Sequence, residues 1–438
     1  MGGELTVKSM ERSAFYQELC ETFDRTPIID SHEHLPKESA RLEQKVDFTT
    51  LFAHYTRDDF YAVGMSLEQL AQMQSPDTDL ERKWELFNAY YPMVRDTSYV
   101  RSARIAMEKF YGCGDLTSFA QAEAVTQRMR QANKPGLYDR VLRQACHMEH
   151  SFLFTCESEH IERDGFYQYV DYVDPYCQIA SRADAEGFGR ELGGACGTLD
   201  EVVQTLHEFI RAKAERGVRG IKYLVAYNRT LRIDRIERED ALRIWEKLPI
   251  DGAQECGQLT EQQKKALQDY LLYRTLECCE EFGLPAVFHT GIQTGPGNTL
   301  IHTDPLPLTN TLQAFPIVKF VLLHCGIPWT DQAAILAKYF SNVYIDMAWL
   351  HIVSPDVAVK ELKRWMNLLP MNKILGFGGD YLIVEKVYGH LCIARENLCR
   401  ALTEKADEIG LTQQRAQLWL RRLVHDNAEA VYFPERFK

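Results

Sequence analysis

No stretch of this chain stays apolar for the ~18–20 residues that a membrane-spanning helix needs. The longest candidate, FPIVKFVLLHCGIPW, carries Lys319 and His324. The opening MGGELTVKSMERSAF lacks the apolar core of a secretory signal. It does match the loose myristoylation pattern, Gly2 followed by Thr6, a pattern common by chance. Positive charge is not in excess either. With 62 acidic against 50 basic side chains the net charge is −12, which argues against nucleic acid or an acidic membrane surface as the main partner. The twelve cysteines include no C-x-x-C pair, so buried reduced thiols are expected rather than a disulfide framework. Internal repeats, low-complexity tracts and the G-K-[ST] of a phosphate loop are also missing; the Gly-rich TGIQTGPGN reads as a loop after a strand. What is left is a soluble protein with cytoplasm as its default location and a small molecule as its partner, a homo-oligomer being allowed.

Three textures follow along the chain. Residues 1–45 hold a helical lead-in, MERSAFYQELCETF, and then a strand-like run, PIIDSHEHLP. Residues 46–145 carry amphipathic helical patterns such as SLEQLAQMQ, LERKWELFNAYYPMV and SARIAMEKFYG, broken at Ser75-Pro76, Gly112 and Gly114. From about 150 onward strand-like and helix-like stretches alternate: SFLFTCES, RGIKYLVAY, LPAVFHTG, FVLLHCG, NVYIDMAW and KILGFGGD are separated by helical segments. That alternation means βαβ units around a parallel sheet buried on both faces. The expected fold is α/β, a TIM-like (β/α)8 barrel with a helical insertion after the first strand. Residues 1–438 are expected to form one domain, with 46–145 an insertion within it that acts as a lid. Seven strands are clear, and YQYVDYVDPYCQIA is the candidate for the eighth.

Four strand-like runs end in side chains that bind metals: His32 and His34, His289, His324, and Asp380. In a parallel barrel the strand C-termini converge on one mouth, so ligands distant in sequence meet there. His32 and His34, two apart on a strand, point to the same face, and neutral imidazoles suit zinc or another borderline divalent ion. Asp30 shares that face one step deeper, in a supporting role or as strand-end solvation. Taken singly, each residue has a bland reading. Histidines after apolar runs are usually core residues, and an aspartate after glycines is usually a turn residue. It is the combination that points to a catalytic metal.

Lys222 in RGIKYLVAY precedes His289 by one strand, and a lone lysine inside a barrel is costly unless paired or modified. Three readings stay open: a carbamylated bridge between two ions, a cation for a substrate carboxylate, or an outward-facing side chain. Tyr227, Arg229 and Arg232 follow in a loop expected at the same mouth, where an arginine suits bidentate carboxylate binding. His147 and His150 in CHMEHS have metal-like spacing but no partner set, and read as structural or surface residues.

The set D-x-H-x-H, Lys, His, His, Asp resembles the amidohydrolase superfamily in its amidohydrolase-2 branch, across nearly the whole chain. The stretches HYTRDDFYAVGMS, RKWELFNAYYPMVRDTSYVRSARIAMEKFYG, GIKYLVAYNRTLRI and HDNAEAVYFP are similar to the N-terminal amidohydrolase-like domain of FluG-type proteins, and more distantly to uronate isomerases. The resemblance implies a divalent metal, most simply zinc with manganese or iron as alternatives, one or two ions, held by His32, His34, His289 and Asp380. His324 then binds a second ion or polarises the substrate. The expected activity is that of a hydrolase in which water is activated, Asp380 shuttles the proton and Lys222, Tyr227 and Arg229 hold a small carboxylate-bearing amide or related metabolite. A metal-dependent decarboxylase or uronate-isomerase-like enzyme on the same barrel is the first alternative, and a non-catalytic binding protein the second.

Overall fold

The computed structural model describes residues 2–155, 165–249 and 259–437. Eight short strands form one sheet in sequential order: β1 (Ile28–Glu33), β2 (Met148–Phe154), β3 (Tyr167–Tyr172), β4 (Gly220–Tyr223), β5 (Ala286–Phe288), β6 (Phe320–Leu322), β7 (Val343–Asp346) and β8 (Ile374–Leu375). The pairs β1–β2, β3–β4, β4–β5, β5–β6 and β6–β7 are parallel. Sequential parallel order with helical crossovers is that of a nearly closed (β/α)8 barrel. Every residue of β1, β4, β5 and β6 is buried, as expected for strands enclosed on both faces. The eighth strand falls in YQYVDY, the stretch the sequence offered for it.

Two refinements come with the coordinates. KILGFGGD contributes only Ile374–Leu375 as strand; Gly376–Gly379 then carry the chain to Asp380 as an irregular loop. His34 lies one residue past the end of β1. The ten cysteines among the described residues are free, and eight of them are buried.

The chain divides into two compact units. The first comprises Met1–Leu153, Gln293–Asn298 and Asp346–Ala428. Here the described residues between β1 and β2 contain helices and no strand, including Leu67–Gln74, Leu80–Val94, Ser98–Tyr111 and Phe119–Ala132. Each of these four begins on a Ser, Thr or Asp whose side chain accepts from a first-turn N–H. They enclose a core of their own, in which Phe48, Phe52, Phe87 and Tyr91 pack edge-to-face and stacked. The helix Ser98–Tyr111 packs along the long helix Val384–Ile409, and a buried cluster ties the two. In it Glu385 accepts from Arg41 at 2.8 Å and from the Tyr111 hydroxyl at 2.6 Å.

The second unit comprises Phe154–Ile292, Thr299–Ile345 and Glu429–Lys438. It holds β3 to β6 and most of β7, with the helices Leu199–Glu215, Glu261–Phe282 and Thr330–Tyr339 among its crossovers.

Candidate metal centre

In the first unit, one half of the molecule, β1 and the loop after β8 build a candidate metal site. His32 Nε2 and His34 Nε2 each lie 3.3 Å from the same oxygen, Asp380 Oδ1. The two imidazoles meet edge to face, 4.9 Å between centroids. His32 and Asp380 are buried, whereas the His34 side chain is 28% exposed and marks the open side. Two imidazole nitrogens and a carboxylate oxygen at one point form a donor set suited to a divalent ion.

What holds Asp380 there is a set of backbone hydrogen bonds along the loop. Ser31 N–H donates to Phe377 O, Asp380 N–H to His32 O and His34 N–H to Tyr381 O, so the loop continues the pairing of β1. Asp30 Oδ1 accepts from Gly379 N–H at 3.0 Å, and Glu33 Oε2 accepts from Tyr381 N–H at 2.7 Å. Glycine at 379 is a matter of space, since a Cβ there would fall 1.7 Å from Glu33 Oε1. Burial pushes the Asp30 carboxyl up to about 7; it pushes Glu33 well above its ordinary range, with the Asp30 charge adding to the effect. Asp30 thus supports the loop that presents Asp380. Glu33, read over because it lies between two histidines and points the other way, does the same.

His54 lies in the same unit, and no pattern in the sequence marked it. Its ring stacks on Tyr55 at 3.8 Å, and its Nδ1 is buried with no hydrogen-bond partner among the described residues. Burial pushes the imidazole down to about 3, and the charges it feels are those of Asp380, Lys386 and His34. The segment 46–145 therefore contributes a neutral ring next to Asp380.

The second unit, the other half of the molecule, carries strand-end side chains of its own. His289 follows β5 directly; its Nε2–H donates to Ile292 O at 2.8 Å, which leaves Nδ1 as the acceptor, and His324 Nε2 lies 3.2 Å from it. The Tyr227 ring sits 4.7 Å from that of His289. Gly291 has φ +71, and a Cβ on it would meet Gly326 C and Ile327 O at 2.4 Å, so the two strand-end loops touch backbone to backbone. Lys222 is buried in β4, its ammonium 5.0 Å from the centroid of Phe154. The nearby Asp174 carboxyl is pushed up to about 7 by burial, against which the Lys222 charge works only in part.

Arg229 departs from its expected role. Its Nε donates to Gln268 Oε1 and its Nη2 to Asp269 Oδ1, both at 2.6 Å, and its Nη1 to the carbonyls of Thr230 and Arg232. A protein carboxylate already takes the fork that a substrate carboxylate would need, and Arg229 fixes the loop after β4 instead. Arg232 pairs with Asp234 at the surface.

Among the described residues six non-glycine residues adopt φ between +54 and +67, and five are His54, Trp349 and Asp380 in the first unit and His324 and Cys325 in the second. Such conformations cost roughly 1–3 kcal/mol each and cluster where geometry serves a ligand.

A parallel barrel whose strand ends carry two histidines, a histidine pair and an aspartate defines a class, the metal-dependent barrel enzymes. The family model described as amidohydrolase matches residues 178–433. The chain belongs to the amidohydrolase family. It is 27% identical over 170 residues to protein fluG of Emericella nidulans, a match covering 37% of this chain and 20% of that protein. Among solved structures it is similar to uronate isomerase of Thermotoga maritima (TM-score 0.79, 16% identity, 96% of this chain and 97% of that one). Glucuronate isomerase of Caulobacter crescentus gives a TM-score of 0.78 at 16% identity over 97% and 95% of the two chains. At such identities the likeness shows the fold alone.

Proposed function

We propose that this chain is a metal-dependent hydrolase acting on a small amide or related metabolite that carries a carboxylate. The observation that carries the reading is the convergence of His32 Nε2 and His34 Nε2 on Asp380 Oδ1 at the C-terminal end of a barrel whose β5 and β6 end in His289 and His324. His32, His34, His289 and Asp380 would hold the divalent ion, zinc first and manganese or iron otherwise. A bound divalent ion lowers the pKa of a coordinated water toward ~7 and polarises a carbonyl.

The remaining steps fall to the chain's own groups. Asp380 takes the proton from the attacking water and returns it to the leaving group. His324 donates to the carbonyl oxygen as charge builds on it. Lys222, with Tyr227 beside His289, receives the substrate carboxylate. The helical segment 46–145, which brings His54 near Asp380, acts as the lid that excludes water, all within one catalytic domain located in the cytoplasm.

Two measurements test this: metal per chain in protein purified without chelator, and turnover on a panel of N-acyl amino acids and dipeptides. One ion leaves Lys222 to the substrate; two ions place a carbamylated Lys222 between them. Failure to cleave any amide while releasing carbon dioxide from an unsaturated acid, or interconverting a uronate and its ketose, selects the lyase or isomerase reading. That second reading is named because the fold is shared with two uronate isomerases.

A further inference from the structure

The peptide unit joining Gly379 to Asp380 is held at both ends. Its N–H donates to His32 O at 2.7 Å, and its carbonyl, Gly379 O, lies 3.0 Å from His390 Nδ1. Three residues upstream, Gly376 O lies 2.8 Å from His351 Nε2, while Gly376 N–H donates to Leu423 O. Both imidazoles are fully buried, on the helices Val384–Ile409 and Leu350–Val353.

A carbonyl only accepts, so each ring must carry its proton on the nitrogen that faces the loop. The two tautomers are therefore opposite. His390 is the Nδ1–H form and His351 the Nε2–H form. The second nitrogen of His351 accepts from Asn397 Nδ2 at 3.4 Å, which agrees with that assignment. The second nitrogen of His390, Nε2, is buried and has no hydrogen-bond partner among the described residues. A ring kept for packing alone would not strand a nitrogen there, where an unpaired polar atom is costly. Its single bond to Gly379 O is what the position retains it for.

We propose that His390 is a positioning residue for Asp380, and that His351 sets the start of the same loop, each by donating one hydrogen bond from a neutral imidazole to a glycine carbonyl. Asp380 sits at φ +60, a conformation the chain does not hold without such anchoring, and Oδ1 must stay within reach of both His32 and His34. Burial keeps both rings uncharged, with His390 pushed down to about 3 and His351 to about 4. The proposal rests on the reading of His32, His34 and Asp380 as metal ligands.

The test uses side-chain amides as stand-ins for single ring nitrogens: the nitrogen of Asn occupies the place of His Nδ1, that of Gln the place of Nε2. Zinc affinity is measured by chelator competition on the full-length chain, and visible absorption is recorded after cobalt loading. His390→Phe is expected to weaken zinc about 10–100-fold and to change the cobalt spectrum, with cooperative melting kept. His390→Asn restores affinity and spectrum, and His390→Gln does not. At His351 the pattern inverts, Gln restoring and Asn failing, with a smaller loss because Gly376 is further from Asp380. Unchanged zinc affinity in His390→Phe, or equal rescue by Asn and Gln, overturns the positioning role while leaving the metal reading intact. If His390→Phe does not fold, the Asn and Gln pair decides alone. A wild-type chain that takes up no metal overturns both.

Discussion

The strand-end clusters in the two halves of the molecule are built by different means. Around Asp380 the first half is a backbone assembly. Each peptide from Gly376 to Tyr381 has a partner, in β1, in the carboxylates of Asp30 and Glu33, or in the buried imidazoles behind the loop. The half around His289 is made of side chains on adjacent strand ends, with His289 touching the rings of Tyr227 and His324, and a lysine in β4. The first gathers the carboxyl groups of Asp30, Glu33 and Asp380 and has a buried lysine of its own, Lys386, while in the second the buried cation is Lys222. In the proposed function the ion falls to His32, His34, His289 and Asp380, and the substrate's acid group to Lys222 and Tyr227.

The largest expected effect comes from attacking the first half at its centre. Asp380→Asn keeps the shape and removes the proton acceptor, so amide turnover should fall by ~10²–10⁴-fold with metal still present by elemental analysis. Turnover within a few-fold of wild type would remove Asp380 from proton transfer. Next is Lys222→Met in the second half, which removes the charge and keeps the aliphatic length. KM for acidic substrates should rise by about 10–100-fold, as a lost charge-assisted bond of ~1.5–3 kcal/mol implies, with metal content unchanged. Loss of metal along with activity would instead place Lys222 at the ion and erase the proposed division.

Each half also depends on one glycine, which sharpens the comparison. Gly379→Ala forces a Cβ against the Glu33 carboxylate, a side chain able to yield somewhat, and overpacking of that kind costs ~1–3 kcal/mol. Gly291→Ala meets the backbone of Gly326 and Ile327 and also places a Cβ at φ +71, which adds ~1–2 kcal/mol. Denaturant midpoints should therefore fall for both, and further for Gly291→Ala. The reverse order would mean that the β1 assembly is the stiffer of the two.

The sequence showed the second half better than the first, for a physical reason. His289 and His324 follow apolar strand cores directly, so period and position betray them; Lys222 interrupts a strand and is visible by its cost. The helices of 46–145 and the strand in YQYVDY were legible from pattern alone. Asp380 was legible as a residue type after a glycine run, but not the way it is held. Its supports are Asp30 and Glu33, some 350 positions earlier, and two histidines on helices that read as ordinary core. His54 lies in a turn with no periodicity to mark it. Arg229 was misassigned because its partner Asp269 is on a helix forty residues later, a pairing that no local pattern announces.

The smallest effect separates scaffold from site by pH. His390 and His351 are held neutral, pushed down to about 3 and 4 from an ordinary 6.5, so the unfolded chain binds more protons than the folded one below pH 6.5. Their contribution to stability is intact above pH 6.5 and is lost as pH falls toward 4. Asp30 and Asp174, both pushed up to about 7, act the other way, since their folded forms keep a proton that the unfolded chain releases above pH 4. The wild-type profile therefore mixes opposing slopes and is a poor test on its own. The difference between wild type and His390→Asn isolates one imidazole. Between pH 6 and 4 the variant should gain on wild type by up to ~1.4 kcal/mol per pH unit, read from urea midpoints. Parallel profiles would mean that His390 titrates normally, and hence that the first half is less closed to water than its hydrogen bonding implies.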